Sequence, residues 1–256
     1  MPSWDVHRGI TLAALSMLGD NKLSEDMVKH LLEGVVDPDR VPDKEQRLRL
    51  SRRGNIYASM SYARHHGYQR DLVDYYFNLA LYYHRRGDGR KSMLMLGRAL
   101  HYAQDSSLSR RKLLVIDVHE IEEDVMNKLA NTPQRVLDLC KGVVVDRKEM
   151  SSRGDEAVCI ALEKTKSMLK RFTEEIGKAI DIRALRNKVI KIRLLKTLLV
   201  LALTIPAFIN QFDPMFIGMA FITCIAVYVY KPRTYYEAMR AGLMIVKPIG
   251  YKPAYT

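Results

Sequence analysis

The sequence predicts an all-α protein in which several packed helices are followed by a long basic helix and a two-helix apolar hairpin. Three observations carry this. Apolar residues recur at three- and four-residue steps through most of the chain. Helix caps and stops punctuate those runs. No segment alternates with period two for long enough to claim a sheet, although Lys141 to Asp146 (KGVVVD) reads as a short strand.

The elements follow in order. Val6 to Leu18 is apolar at helical spacing and stops at Gly19-Asp20. Ser24 is an N-cap, with Glu25 and Asp26 in the first turn of a helix expected to end at Gly34. Pro38 and Pro42 then predict a loop. Asp71 to Arg86 is a helix closed by Gly87-Asp88-Gly89, with Lys91 to Gln104 as its antiparallel partner, and Asp117 to Leu129 is another helix. Residues 1–150 are thus read as a globular unit. Residues 151–193 are a basic amphipathic stretch, one long helix or two in series, facing either anionic headgroups or solvent.

From Leu194 to Tyr230 two apolar arms flank QFDP, with Asp213 the lone charge between Lys196 and Lys231. The first arm is long enough for a bilayer core of about 30 Å. The expectation is a transmembrane hairpin, against the alternative of a buried hairpin in a soluble core. Lys188, Lys191, Arg193 and Lys196 precede it and Lys231, Arg233 and Arg240 follow it, while the turn has no cation. By the positive-inside rule both termini, the N-terminal domain and a tail at 231–256 are expected in the cytosol. The opening residues MPSWDVHRG show no apolar signal-peptide core, which agrees.

Of 256 residues, 41 are Lys or Arg and 29 are Asp or Glu, a formal charge of +12. That excess admits nucleic acid, an anionic lipid surface or phosphate-bearing ligands as partners. Much of it flanks the hairpin, which favours lipid and disfavours nucleic acid. Cys140, Cys159 and Cys224 are too few and too scattered for a disulfide scaffold or a zinc ribbon. They are expected to be reduced, as in a cytosolic protein.

Two of the seven His carry an acid one helical turn later: His101 with Asp105, and His119 with Glu123. Residues at i and i+4 share a helix face, and imidazole with carboxylate is a ligand set that zinc accepts. His7 and the adjacent His65 and His66 extend the set towards a polynuclear site. His84 and His30 fit a plainer role near helix C-termini.

These segments resemble the zinc-dependent phospholipases C, the superfamily that includes the fungal single-strand nucleases. LGRALHYAQD (96–105) is similar to the family's helix ending in a liganding His and a bridging Asp, and VHEIEED (118–124) to its later H-x-x-x-E helix. GVVDPD (34–39) resembles its G-x-x-x-P-D loop, YARHH (62–66) falls where another liganding His is placed, and WDVHRG (4–9) resembles the opening segment. The resemblance covers about residues 1–130. It implies two or three zinc ions held by His7, Asp39, His65 or His66, His101, Asp105, His119 and Glu123, acting on a phosphodiester. Asp39 or Asp5 would take a proton from an attacking water, and Arg110 and Arg111 would pair with phosphate oxygens or sit in a solvated turn.

Two departures stand out. Trp4 follows Met-Pro-Ser, so its amine is not the chain terminus, and SSLSRRKLL (106–114) lacks a family His. The expected function is therefore a membrane-anchored zinc phosphoesterase acting on a phospholipid or lipid-linked phosphodiester. The alternative is a catalytically degraded member serving as a membrane-tethered binding or scaffold protein.

Overall fold

The structure, a computed structural model, describes residues 3–19, 23–51, 56–63, 70–107, 112–113, 116–117, 126–128, 130–143, 154–209 and 214–255. It is mostly helical. In chain order come α1 (Trp4–Ser16), α2 (Glu25–Arg40), β1 (Lys44–Leu50), β2 (Ile56–Tyr62), α3 (Arg70–Arg85) and α4 (Gly89–Asp105). Short strands β3 (Lys112–Leu113) and β4 (Ile116–Asp117) precede α5 (Pro133–Cys140) and α6 (Gly154–Gly177). The chain ends with α7 (Ile182–Ile209), α8 (Pro214–Val229), α9 (Arg233–Arg240) and β5 (Tyr251–Lys252).

Helix α4 is the centre of the body, with Leu96, Ala99, Leu100 and Tyr102 fully buried among α1, α2, α3 and α6. Asp88 caps it by accepting from Lys91 N at 3.0 Å, and Gly87 takes the left-handed turn (φ 80°) that reverses the chain after α3. Helix α2 does not stop at Gly34 but runs through Pro38 to Arg40. Gly34 is there for contact: a Cβ on it would lie 2.2 Å from the Leu94 carbonyl oxygen, and one on Gly97 would lie 2.3 Å from that of Leu31. The two glycines let the α2 and α4 backbones touch. A glycine that reads as a stop is a crossing point, so the predicted loop at 34–39 is helix.

The helical class holds, and beside the helices lies a small three-stranded antiparallel sheet in the order β2-β1-β5. Its hairpin carries no core-facing apolar stripe, which is why alternation gave no signal. The strand expected from Lys141 begins in a turn at 141–142, and its remainder from 144 lies outside the described residues. Asp117 belongs to β4 rather than to the start of a helix, and 118–125 lie outside as well.

The cysteines also differ from expectation. Cys140 at the end of α5 and Cys159 in α6 form a disulfide, and Cys224 is free. Sequence spacing could not bring these two together; the packing of α5 on α6 does.

The basic stretch is two helices in series. Helix α6 turns Val158, Leu162, Leu169 and Phe172 into the same core as α1 and α4, so it is part of the body. Helices α7 and α8 are antiparallel, with Lys196 Nζ donating to the Val227 carbonyl at 2.8 Å. Among the described residues no helix is long and apolar enough to cross a membrane. The expected transmembrane hairpin is thus found as a helical pair, with its apolar residues turned outward: Leu195, Phe221, Ile222 and Tyr228 are all exposed. The segment after α8 does not trail away. Helix α9 packs on α3 and α7, β5 pairs with β1, and Tyr75 Oη donates to the Tyr255 carbonyl.

Candidate metal centre

Three helices bring four of the expected ligands together. His7 comes from α1, Asp39 from the last turn of α2, and His101 and Asp105 from one face of α4. His101 Nε2 lies 3.2 Å from Asp105 Oδ2 and 3.7 Å from Asp39 Oδ1, and His7 Nε2 lies 3.5 Å from Asp105 Oδ1. The imidazole rings are 4.5 Å apart, tilted by 33°. One ligand atom from each of His7, His101 and Asp105 fits within 4.8 Å of the others, and all three residues are buried.

The hydrogen bonds around the rings settle their tautomers. His101 Nδ1 is 2.8 Å from the Val35 carbonyl oxygen, which only accepts, so Nδ1 carries the proton. His7 Nδ1 is 2.7 Å from Gln104 Oε1. Gln104 is held in that orientation because its amide nitrogen donates to Thr11 Oγ1 and Thr165 Oγ1. Both hydroxyls in turn donate to main-chain carbonyls, those of His7 and Ala161. In the neutral rings both Nε2 atoms therefore direct lone pairs at carboxylates. Lone pairs facing carboxylate oxygens repel unless a cation lies between them.

The titration behaviour agrees. Burial lowers the pKa of His7, and the neighbouring His101 charge lowers it further against the pull of Asp105. Burial also pushes His101 down, but the Asp105 and Asp39 carboxylates and the Val35 carbonyl outweigh it and raise its pKa. A proton on His101 would be one cation between these groups. Two imidazole nitrogens and one or two carboxylate oxygens are equally a donor set for zinc, and the fixed Nδ1–H bonds are the outer support that metal-bound His requires. His7 Nε2, buried and without a hydrogen bond, points the same way.

The other expected residues fall elsewhere. Asp5 is exposed in the first turn of α1, two positions from His7 and so off its face, and is not at the site. His65, His66, His119, Glu123, Arg110 and Arg111 lie outside the described residues. His30, largely buried, pairs with Glu33 at 2.9 Å within α2, and His84 packs edge-on against Phe172.

Sequence reasoning missed the layer beneath. Arg98, fully buried one turn before His101, donates to the Asp37 carboxylate, to the Val41 carbonyl at 3.0 Å and to Asp43 Oδ2 at 2.9 Å. Asp43, also fully buried, accepts from Tyr76 Oη and Tyr102 Oη and from Ala254 N at 2.6 Å. This network holds the end of α2, and with it Asp39, against α4. The available signal was an arginine inside the apolar face of α4, in step with His101 and Asp105.

The fold and site define a mostly helical protein with a buried two-histidine, two-carboxylate cluster and an outward-facing apolar hairpin. No family model, no curated protein and no solved structure matches the chain.

Proposed function

We propose that this chain is a membrane-bound, zinc-dependent phosphoesterase acting on a phospholipid or lipid-linked phosphodiester. The observation that carries the reading is the convergence of His7, His101 and Asp105, with both Nε2 lone pairs directed inward by locked Nδ1–H bonds. The motif resemblance of residues 1–130 to zinc-dependent phospholipases C supports the metal and the reaction class.

In this reading His7, His101 and Asp105 hold the ion, and His119, Glu123 and one of His65 and His66 belong to a second or third site. Zinc supplies neutralisation of phosphate charge and acidification of a water. Asp39 stands beside His101, its side chain 8% exposed, and its carboxylate would take the proton from the attacking water. Gln104 and Val35 keep the rings in the liganding tautomer, and the Arg98 network keeps Asp39 in place.

The exposed apolar side chains of α8 and of α7 beyond Lys196 support insertion of the hairpin in a bilayer, since water penalises so many exposed large side chains on paired helices. The cations flanking it argue for a cytosolic domain, whereas the Cys140–Cys159 disulfide argues for an oxidising side. Labelling of Ser3→Cys by a membrane-impermeant maleimide in sealed cells separates the two.

The test of function is metal content and turnover. Purified protein should hold zinc, lose it in His101→Ala, and hydrolyse a chromogenic phosphodiester in an Asp39-dependent manner. Absence of zinc from the wild type overturns the site. The near-complete burial of His7, His101 and Asp105 favours a second reading, a degraded member in which zinc only ties α1 to α4 within a membrane-tethered scaffold. Zinc bound with no hydrolysis selects it.

A further inference from the structure

The β1–β2 hairpin is amphipathic in the reverse sense. Its register pairs Lys44 with Tyr62, Gln46 with Met60, Leu48 with Ala58 and Leu50 with Ile56, so these residues share one face. Glu45, Arg47, Arg49, Tyr57, Ser59 and Ser61 share the other. In a sheet packed on a core the apolar face turns inward. Here Glu45, Arg47, Ser59 and Ser61 of the polar face are partly covered, Arg49 and Tyr57 nearer the tip are exposed, and the apolar face is open: Leu48 is 76% exposed, Leu50 and Ile56 71% each, and Tyr62 65%.

What covers this face is indicated by charge and by position. Lys44 lies on this face and exposed Arg49 on the opposite one near the tip, while Glu45, the sole acid in either strand, is paired with Arg47, so the hairpin as a whole suits an anionic surface. A second copy would bring like charges together on a chain of net charge +12. Position adds to this. Gln46 N donates to the Gly250 carbonyl at 2.7 Å, and a few residues earlier the same segment accepts at the Lys247 carbonyl from Lys231 Nζ, at the foot of α8. The base of the sheet is thereby tied to the base of the apolar helical pair. Lys44 lies over the Tyr62 ring at 5.9 Å, with a charged head above an apolar body as in side chains that sit at headgroup depth.

We propose that the apolar face of the β1–β2 hairpin is a second membrane contact, which lies in the headgroup region of an anionic bilayer. The inference rests on the membrane reading of α7 and α8 and adds a purpose to it. Strand β1 begins five residues after Asp39, so the contact holds the metal-centre end of α2 against the lipid surface. A site so placed meets a headgroup still in its bilayer.

The test uses the full chain with Cys224→Ser, reconstituted into vesicles of phosphatidylcholine and phosphatidylglycerol. An environment-sensitive fluorophore is placed singly on Leu48→Cys, Leu50→Cys, Ile56→Cys, Ser59→Cys or Ile222→Cys. Lipids carrying a nitroxide near the headgroup should quench positions 48, 50 and 56 by about twofold or more and leave 59 unaffected. Substituting phosphatidylcholine for the anionic lipid should diminish the quenching at 48, 50 and 56. If 48, 50 and 56 are not quenched while 222 is quenched by deep-chain nitroxides, the second contact is refuted and the membrane hairpin stands. If 222 is also unquenched, both fall. Equal quenching at 59 refutes a face-specific contact. Excimer formation between pyrene labels at position 50 without lipid quenching assigns the face to a second copy instead.

Discussion

Gly97→Ala tests the crossing on which the site is built. The added Cβ would sit 2.3 Å from the Leu31 carbonyl oxygen and 2.6 Å from the Gly34 carbonyl carbon. Ordinary contact starts at 3.4 Å, so α2 and α4 must separate by about 1 Å, because neither partner is a side chain that can rotate away. Overpacking of this kind costs about 1–3 kcal/mol or more, and alanine returns at most about 1 kcal/mol in helix propensity. A net loss of about 2 kcal/mol lowers Tm by roughly 4–8 °C in a chain of this size.

The chemistry should respond differently from the fold. His101 and Asp105 share α4, and His7 comes from α1, so on the proposed reading the zinc content should be unchanged. Asp39 rides on α2 and moves away from His101 Nε2, from which it now stands 3.7 Å. A misplacement of about 1 Å costs about 100-fold in turnover. Thermal unfolding, zinc content and phosphodiester hydrolysis measured on one preparation read all three. Gly177→Ala, with nothing within 4 Å of its Cβ, is the control and should leave Tm unchanged or slightly raised. Wild-type Tm and turnover in Gly97→Ala would refute the role of the crossing.

Three further outcomes follow from the neighbouring residues. Gln104→Leu keeps the volume but frees the His7 ring, and should weaken zinc binding by about 10–100-fold in a chelator competition while the far-UV spectrum is unchanged. Asp43→Asn leaves buried Arg98 without one of its two carboxylates and should cost about 3–5 kcal/mol in urea unfolding. Burial lowers the Lys164 pKa from 10.5 to about 8. Between those values the unfolded chain binds the proton that the folded chain has lost, so wild-type stability relative to Lys164→Met should rise as pH goes from 8 towards 10.5. A Tm difference that is flat with pH would show that Lys164 is not desolvated.

What could be read from the sequence was what depends on spacing within one helix. His101 and Asp105 share a face because four residues make one turn, and no packing can alter that. The same logic found the N-cap at Ser24 and the turn at Gly87. Gly34 failed it, because a glycine at a helix crossing and a glycine at a helix end look the same until the partner helix is known. Cys140 and Cys159 failed for a similar reason, since only the docking of α5 on α6 makes them neighbours. The β-hairpin escaped because its apolar face does not meet the core and its strands are rich in charge. Asp43 carried no local signal: its donors come from residues 76, 98, 102 and 254.

That last pairing changes how the apolar hairpin relates to the body. Residues after α8 return through α9 to β1, and their final contacts lie in the layer under the metal centre. Ala254 N fills one position on the buried Asp43 carboxylate, and the Tyr255 ring covers the Arg98 guanidinium at 5.0 Å. Helix α6 on the other side of the pair is packed against α4, where Thr165 holds Gln104. The helical pair is therefore inserted between two parts of one core, and each part fixes one support of the site: α6 the His7 ring through Gln104, the returning tail Asp39 through Asp43 and Arg98. A buried carboxylate that loses a donor pays a desolvation penalty of about 1–3 kcal/mol. Displacing the tail would thus be felt first in the end of α2 that carries Asp39, and the placement of the hairpin and the geometry of the cluster are set by the same few contacts.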